Sequence, residues 1–361
     1  MKRTAYFTII LGLAFLFACN RTPQRYSVSP EQLLQQKQAP QLAEFLEQAN
    51  PVVSEEDFPP MIVAPIVKDE KSQDLIIDIR RKAAYEAGHI NGAYNMPGDS
   101  VLTFLQTINP AAYKRIVLVC YSGQTAAFYT TLLRLLGYKN AYALAYGMAG
   151  WNKDFGGLFK KNISAKYISR ISKDEVALPD KGSVPQLAKG LPLQVLWQRV
   201  NKVAHEKPSE YLISADEVFA NLDKYFIIDL RKPEHYKVGH IPGAVNIRAP
   251  QLVMGKDLSR LPVDKPIVVY CYHGYTSVSV TAYLRVLGYD VRSLKFGYHS
   301  FMDGILNRRI DFNTAFNDFP YITGSQRMDI KVSASESSAP AQPKPTLNIP
   351  VKKKEVGGGC E

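Results

Sequence analysis

The sequence predicts an α/β protein made of two copies of one domain, each a small parallel sheet flanked by helices on both faces. Three observations predict it. The first is internal repetition: Ile116-Val-Leu-Val-Cys120-Tyr-Ser-Gly-Gln-Thr125 returns as Ile267-Val-Val-Tyr-Cys271-Tyr-His-Gly-Tyr-Thr276, an offset of 151 residues from Cys120 to Cys271. The same offset relates Leu75–Arg80 to Phe226–Arg231 and Gly88–Ala93 to Gly239–Ala244. Residues 75–97 and 226–248 agree at 11 of 23 positions, and 116–138 and 267–289 at 12 of 23, which marks duplication. The second is a set of short apolar runs, Leu75–Ile79, Phe226–Leu230, Ile116–Val119 and Ile267–Tyr270, each fit for a strand buried on both faces. The third is the change to helical spacing after each cysteine: Tyr129, Leu132, Leu133 and Leu136 in one copy, Val280, Tyr283, Leu284 and Leu287 in the other. Strands alternating with helices imply a parallel sheet covered on both sides.

The elements follow in chain order. Lys2 and Arg3 precede an apolar run from Ala5 to Ala18, too short for a stable transmembrane helix and suited to a signal peptide. The run ends Leu16-Phe-Ala-Cys19, which resembles the lipobox of bacterial lipoproteins. On that reading residues 1–18 are removed, Cys19 carries a lipid, and the protein sits in the cell envelope, anchored to a membrane and facing the periplasm or exterior. An ordinary secretory signal with an incidental cysteine is the other reading. Residues 19–60 read as a tether plus one amphipathic helix between Pro30 and Gln48, with Leu33, Leu34, Leu42, Phe45 and Leu46 on its apolar side. The first domain spans 61–155, a linker with one helix near Val195–Val203 spans 156–207, and the second domain spans 208–305. A C-terminal extension covers 306–330.

Ser214 and Glu217 form a capping box that starts a helix in the second copy. The matching stretch of the first, Val63–Asp69, has no such helix signal, so the first domain is expected to be trimmed or rerouted there. Gly137 and Gly288 are placed to end the helices that follow the cysteines. Residues 331–361 turn to Ser, Ala, Pro and Lys, a composition predicted to be disordered, and end Gly357-Gly-Gly-Cys360-Glu361. Three glycines beside Cys360 suggest either a mobile thiol that visits the other cysteines or an incidental one.

Charge and composition narrow the function. The formal charge is +11, partly in the tail, and no basic face interleaves with aromatics, so nucleic acid is not expected as a partner. A basic chain does lie favourably on an anionic membrane. Cys120 and Cys271 occupy equivalent places in separate repeats, which argues against a structural disulfide between them.

Each cysteine follows a parallel strand and lies at its carboxyl edge, where α/β folds place ligands. A short turn comes next, Tyr121-Ser122-Gly123-Gln124-Thr125 or Tyr272-His273-Gly274-Tyr275-Thr276, and then a helix. Amide N–H groups of that turn and of the helix N-terminus are expected to point at the sulfur and favour negative charge there. Gly123 and Gly274 let the turn curl. Thr125 and Thr276 either donate a hydroxyl to the site or cap the helix.

Asp78-Ile-Arg80 and its copy, Gly88-His-Ile-Asn-Gly-Ala93 and its copy, the two cysteine loops, and Gly147-Met-Ala-Gly-Trp151 with its looser echo Gly297-Tyr-His-Ser-Phe301 together resemble the rhodanese superfamily in tandem. The resemblance implies sulfane-sulfur transfer through a persulfide on Cys120 and Cys271, with the two turns binding substrate. It implies small sulfur compounds as substrates, a protein thiol as one conceivable acceptor, and neither metal nor organic cofactor. Arg80 and Arg231, like His89 and His240, are expected to hold the structure together. Many relatives carry arginine at the sixth loop position; here Thr125 and Thr276 stand there, which favours a neutral or thiol-bound donor over thiosulfate.

Two other functions compete. Phosphatases and arsenate reductases need an arginine six residues after the cysteine, where this chain has Ala126 and Ser277. A non-catalytic sulfur carrier or partner-binding module needs the same loop and stays open.

Overall fold

The computed structural model describes residues 39–49, 58–70, 73–187, 191–253, 257–306, 310 and 312–325. The signal segment, Cys19, most of the tether with Leu33 and Leu34, and the tail with Cys360 lie outside the described residues. No helix among the described residues is long and apolar enough to cross a membrane.

The chain forms two parallel five-stranded sheets of the same topology, in the order β1-β5-β4-β2-β3 and β6-β10-β9-β7-β8. In the first, β1 is Met61–Ile62, β2 Asp74–Asp78, β3 Tyr94–Asn95, β4 Arg115–Val119 and β5 Ala141–Leu144. In the second, β6 is Leu212–Ile213, β7 Phe226–Asp229, β8 Val245–Asn246, β9 Ile267–Tyr270 and β10 Val291–Leu294. Every residue of β4 and β9 is buried, as the unbroken apolar runs require. Register sets Asp78 beside Val119 and Asp229 beside Tyr270. The cysteine that follows each central strand thus emerges next to the Asp-x-Arg motif.

Six helices matter for the site: α1 (Ala39–Ala49), α2 (Ala64–Glu70), α3 (Gln124–Leu135), α4 (Pro192–Ala204), α5 (Ala215–Ala220) and α6 (Tyr275–Val286). Helix α1 overlaps the stretch where the sequence placed an amphipathic helix, whose earlier part lies outside the described residues, and buries Leu42, Ala43 and Leu46. Helix α4 is the helix expected in the linker. Helix α5 opens on Ser214 as its N-cap, the Oγ accepting the Glu217 N–H at 3.2 Å, while the Glu217 carboxylate accepts the Tyr225 hydroxyl at 3.3 Å, so only half of the expected capping box forms. Helix α2 corrects the expectation for the first domain. It forms without a recognisable cap because Pro65 is tolerated in a first turn and because Ala64 and Val67 are buried. The two copies therefore match at their entry as well.

Helices α3 and α6 end on Gly137 and Gly288 at φ +93° and +101°. In α3 the Gly137 N–H bonds the Arg134 carbonyl and the Tyr138 N–H bonds Leu133, the two bonds of a Schellman cap. These two helices also pack against each other, so one apolar core runs through both domains. Phe128 of α3 stacks on Tyr211 of the second domain at 3.8 Å between ring centroids.

The segment after each domain crosses to the other. Ser172 forms an antiparallel bridge with His240, and Ile322 forms the equivalent bridge with His89. Trp151 donates its indole N–H to the Pro320 carbonyl at 2.9 Å. Linker and C-terminal extension thus act as straps, each clasping the opposite copy.

Candidate functional site

The Asp-x-Arg pairs anchor the base of each site. Arg231 grips Asp229 through Nε and Nη2, at 3.0 and 2.6 Å, and its Nη2 also donates to the Gly239 carbonyl at 2.7 Å. Arg80 repeats this with Asp78 and Gly88. A buried guanidinium therefore ties the end of β2 or β7 to the Gly-His-Ile turn. His89 and His240 stack on Tyr85 and Tyr236, and each Nδ1 pairs with that tyrosine's carbonyl, at 2.8 and 2.9 Å.

The cysteine loops sit above these clamps. Cys120 Sγ accepts the N–H of Gly123 at 3.1 Å and of Ala126 at 3.3 Å. Cys271 Sγ accepts the N–H of Gly274 at 3.3 Å and of Ser277 at 3.4 Å. The positions where a phosphatase would keep its arginine thus turn backbone amides to the sulfur instead. Gly123 and Gly274, at φ +86° and +89°, take the helix N-cap position that only a residue free to adopt left-handed backbone fills without strain. Thr125 and Thr276 fall inside the first helical turn, so neither caps its helix. The turn between cysteine and helix is three residues long, shorter than the sequence suggested, because α3 and α6 begin at Gln124 and Tyr275.

Behind each loop the backbone comes very close. Met148 N–H bonds the Cys120 carbonyl and Tyr298 N–H bonds the Cys271 carbonyl, both at 2.9 Å. A Cβ on Gly147 would lie 2.3 Å from the Cys120 oxygen, and one on Gly297 equally close to that of Cys271. The Gly147–Trp151 and Gly297–Phe301 motifs therefore brace the loops.

Both cysteines are free thiols, 3% and 4% exposed. Burial pushes the Cys120 thiol above its ordinary pKa, against the pull of the Ala126, Ser122 and Gly123 amides. The cover comes from the partner domain. Gln124 Oε1 accepts the Phe296 N–H at 2.9 Å, and the Tyr275 hydroxyl accepts the Tyr146 N–H at 3.0 Å. A Cβ on Gly123 would meet the Tyr275 ring at 3.1 Å, and one on Gly274 would meet Gln124 Oε1 at 2.7 Å. The fifth residue of each loop thus lies over the other loop.

The two copies match one family model, described as a rhodanese-like domain, over residues 64–154 and 214–303. The chain belongs to the rhodanese-like family. Among similar proteins, the thiosulfate sulfurtransferase GlpE of Pseudoalteromonas translucida is 35% identical over 92 residues, 24% of this chain and 83% of the relative. The same-named protein of Pseudomonas paraeruginosa is 38% identical over 73 residues, 20% of this chain and 64% of its own. The solved thiosulfate sulfurtransferase of Pseudomonas aeruginosa is 17% identical, with 73% of this chain and 47% of that one covered, at a TM-score of 0.28.

The remaining loop residues of the two rhodanese-like domains have unlike surroundings. Tyr121 is exposed, with the Arg80 guanidinium 5.7 Å from its ring centre. Ser122 is buried and accepts the Gln124 side-chain amide at 3.3 Å. The Tyr272 hydroxyl pairs with His235 Nδ1 and accepts the Lys232 N–H at 3.3 Å. His273 is half-buried and lines a cavity of about 530 Å³ between the domains. Sequence reasoning missed Tyr146 and Phe296, the backbone partners of the crossing pair. It also missed His299 and Asp303, although the histidine inside the echo motif Gly297–Phe301 was a visible departure from its copy.

Proposed function

We propose that this chain is a sulfurtransferase that moves sulfane sulfur from a donor to a thiophilic acceptor through persulfides on Cys120 and Cys271. The observation that carries the reading is that each sulfur accepts two backbone N–H groups from its own turn and helix start. Such donors stabilise charge on a thiolate or persulfide in a low-dielectric site without reorganising. Attack by Sγ on a sulfane sulfur expels the donor's leaving group and leaves a persulfide. Attack by the acceptor on the outer sulfur returns the cysteine. The sites lack a cationic side chain at the sixth loop position, which favours polysulfide or an organic persulfide over thiosulfate as donor.

The reading extends to place and partners. A lipid on Cys19 would hold the two domains at the surface of a cell-envelope membrane, facing the periplasm or exterior. Small sulfur compounds are the substrates, with a protein thiol as a further acceptor. Near-complete burial of both thiols favours a second reading, a sulfur carrier that exchanges only when a partner opens it.

The test is intact-mass detection of persulfide after donor exposure, together with steady-state sulfur release, in wild type, Cys120→Ser, Cys271→Ser and the double variant. Turnover that vanishes only in the double variant supports two working sites. Turnover that survives in it overturns the mechanism, and loading without turnover selects the carrier reading.

A further inference from the structure

The second site holds three titratable groups that the first lacks. His299 is fully buried, and its Nδ1 meets Asp303 Oδ1 at 2.6 Å. With Nδ1–H given to the carboxylate, the other ring nitrogen presents its lone pair, and Nε2 has no hydrogen-bond partner among the described residues. Its ring lies 4.9 Å from that of His273, which stands two residues after Cys271. The short helical turn carrying His299 is fastened to the loop by the Tyr298 N–H bond to the Cys271 carbonyl. Equivalent positions in the first domain are Ser122, Ala149 and Lys153, so it has no imidazole at either place. Burial holds the His299 pKa below the usual histidine value, with Asp303 opposing, so the ring is neutral at pH 7.

His273 also lines the cavity of about 530 Å³ at the domain junction, with Val63, Pro65, Tyr146, Ile310 and Asn317 among its walls. Among the described residues, none that lines it carries a fixed charge. Such a lining suits an uncharged acceptor better than sulfite or thiosulfate.

We propose that Asp303, His299 and His273 form an acid–base relay that lets Cys271, and not Cys120, deliver sulfur to a neutral thiol. The proposal rests on the sulfur-transfer reading and names the acceptor class of one of its sites. A thiol R–SH in the cavity gives its proton to His273, and the new R–S⁻ attacks the outer sulfur of the Cys271 persulfide. An S–S bond forms to the acceptor and the bond to Cys271 Sγ breaks. The cysteine leaves with the electron pair and takes the proton back, so R–SH and Cys–S–S⁻ become R–S–S⁻ and Cys–SH. The acceptor sulfur is oxidised as Sγ is reduced, and no outside reagent is needed. His299, fixed by Asp303, acts as a positioning residue whose ring packs 4.9 Å from that of His273.

The experiment uses the full chain carrying Cys120→Ser, loaded with inorganic polysulfide. Loss of sulfur from Cys271 is followed by intact mass in single turnover, with 2-mercaptoethanol or with sulfite, which arrives ionised and needs no base. In His299→Gln and Asp303→Asn the ratio of thiol rate to sulfite rate is expected to fall about tenfold or more, the lower range of acid–base catalysis. A ratio that stays within about twofold in variants that still load would overturn the relay. A second measurement leaves the relay intact: the same ratio should be larger in Cys120→Ser than in Cys271→Ser, and equal ratios would overturn it too. Failure of Cys271 to load in the Cys120→Ser parent would instead overturn sulfur transfer at this site, and the relay with it.

Discussion

Gln124 and Phe296, 172 residues apart in sequence, are joined by a hydrogen bond from the Phe296 N–H to Gln124 Oε1 at 2.9 Å. Tyr275 and Tyr146 repeat the relationship in the opposite direction. Phe296 and Tyr146 share an unusual backbone, with φ of +62° and +60°. Each is the residue before the glycine that braces its own cysteine loop. A side chain from one loop is thus bonded to the support of the other, and the two sites are covered jointly.

Loosening that cover should expose the thiols. Tyr275→Phe keeps the ring but strips the acceptor from the Tyr146 N–H, which costs about 1–3 kcal/mol when the group is left buried and unpaired. Gln124→Ala removes the bond and also opens space over Gly274. Both variants are expected to unfold at lower denaturant and to react faster with iodoacetamide, with cysteines in the opposite loop affected most. Unchanged alkylation rates in both would mean that the cover does not limit access.

Burial of Cys120 predicts a late pH profile. Its thiol is pushed above the ordinary value, so at neutral pH the resting protein holds mainly the unreactive form. In Cys271→Ser, alkylation of Cys120 should rise with an inflection at higher pH than free cysteine. The stability sign follows the same shift. Below the unfolded-state thiol pKa the contribution is fully present, and it is lost as pH rises through the higher folded value. Adding Tyr275→Phe to this background should move the inflection down; an inflection at or below that of free cysteine in Cys271→Ser itself would contradict the burial argument.

The arginine clamp gives a stability prediction. Arg231 and Asp229 are fully buried, and the Tyr270 hydroxyl also donates to the carboxylate at 2.6 Å. Arg231→Met leaves Asp229 ionised and unpaired by any cation, a change that costs about 3–5 kcal/mol. The expected result is a marked loss of thermal stability and of persulfide loading at Cys271. Calorimetry on wild type and variant reads it directly, and a loss well under 1 kcal/mol would assign the pair a lesser role.

Local signals made much of this fold legible. The cysteines lie at strand ends because four apolar residues precede each one, and Ser214 marked the start of α5, which ends at Ala220 rather than near Leu222. Helix α2 was hidden because Ala64 and Pro65 carry no capping group and the helix is held by the burial of Val67, a tertiary effect. The residues of the two loops have unlike surroundings. Nothing in local pattern says that Gln124 and Tyr275 turn away from their own cysteine toward backbone 172 and 129 residues distant. The thiols' burial was hidden for the same reason, since the groups that cover them belong to the other copy. His299 was visible as a histidine in the motif, but its pairing with Asp303 one turn later gains meaning only once its ring is seen to lie beside His273.

The bracing glycines allow one site to be disturbed while the other reports. A Cβ on Gly297 would sit 2.3 Å from the Cys271 carbonyl and 2.5 Å from that of Tyr272, on backbone at φ +56°. Gly297→Ala must therefore push the loop away, and the strain alone is worth about 1–3 kcal/mol. Displacement of the Cys271 carbonyl breaks its bond from Tyr298 and re-aims the Gly274 and Ser277 amides, so persulfide formation at Cys271 should fall sharply. Phe296 is the adjacent residue, so the same change should weaken its bond to Gln124 and loosen the joint cover. Cys120 is then expected to keep its own amide cradle and load sulfur, while becoming more open to alkylation. Mass analysis of both cysteines in Gly297→Ala separates these effects. Equal loss of loading at both sites would show that the cradles depend on one another, and normal loading at Cys271 would show that close backbone support is not what aims its amides.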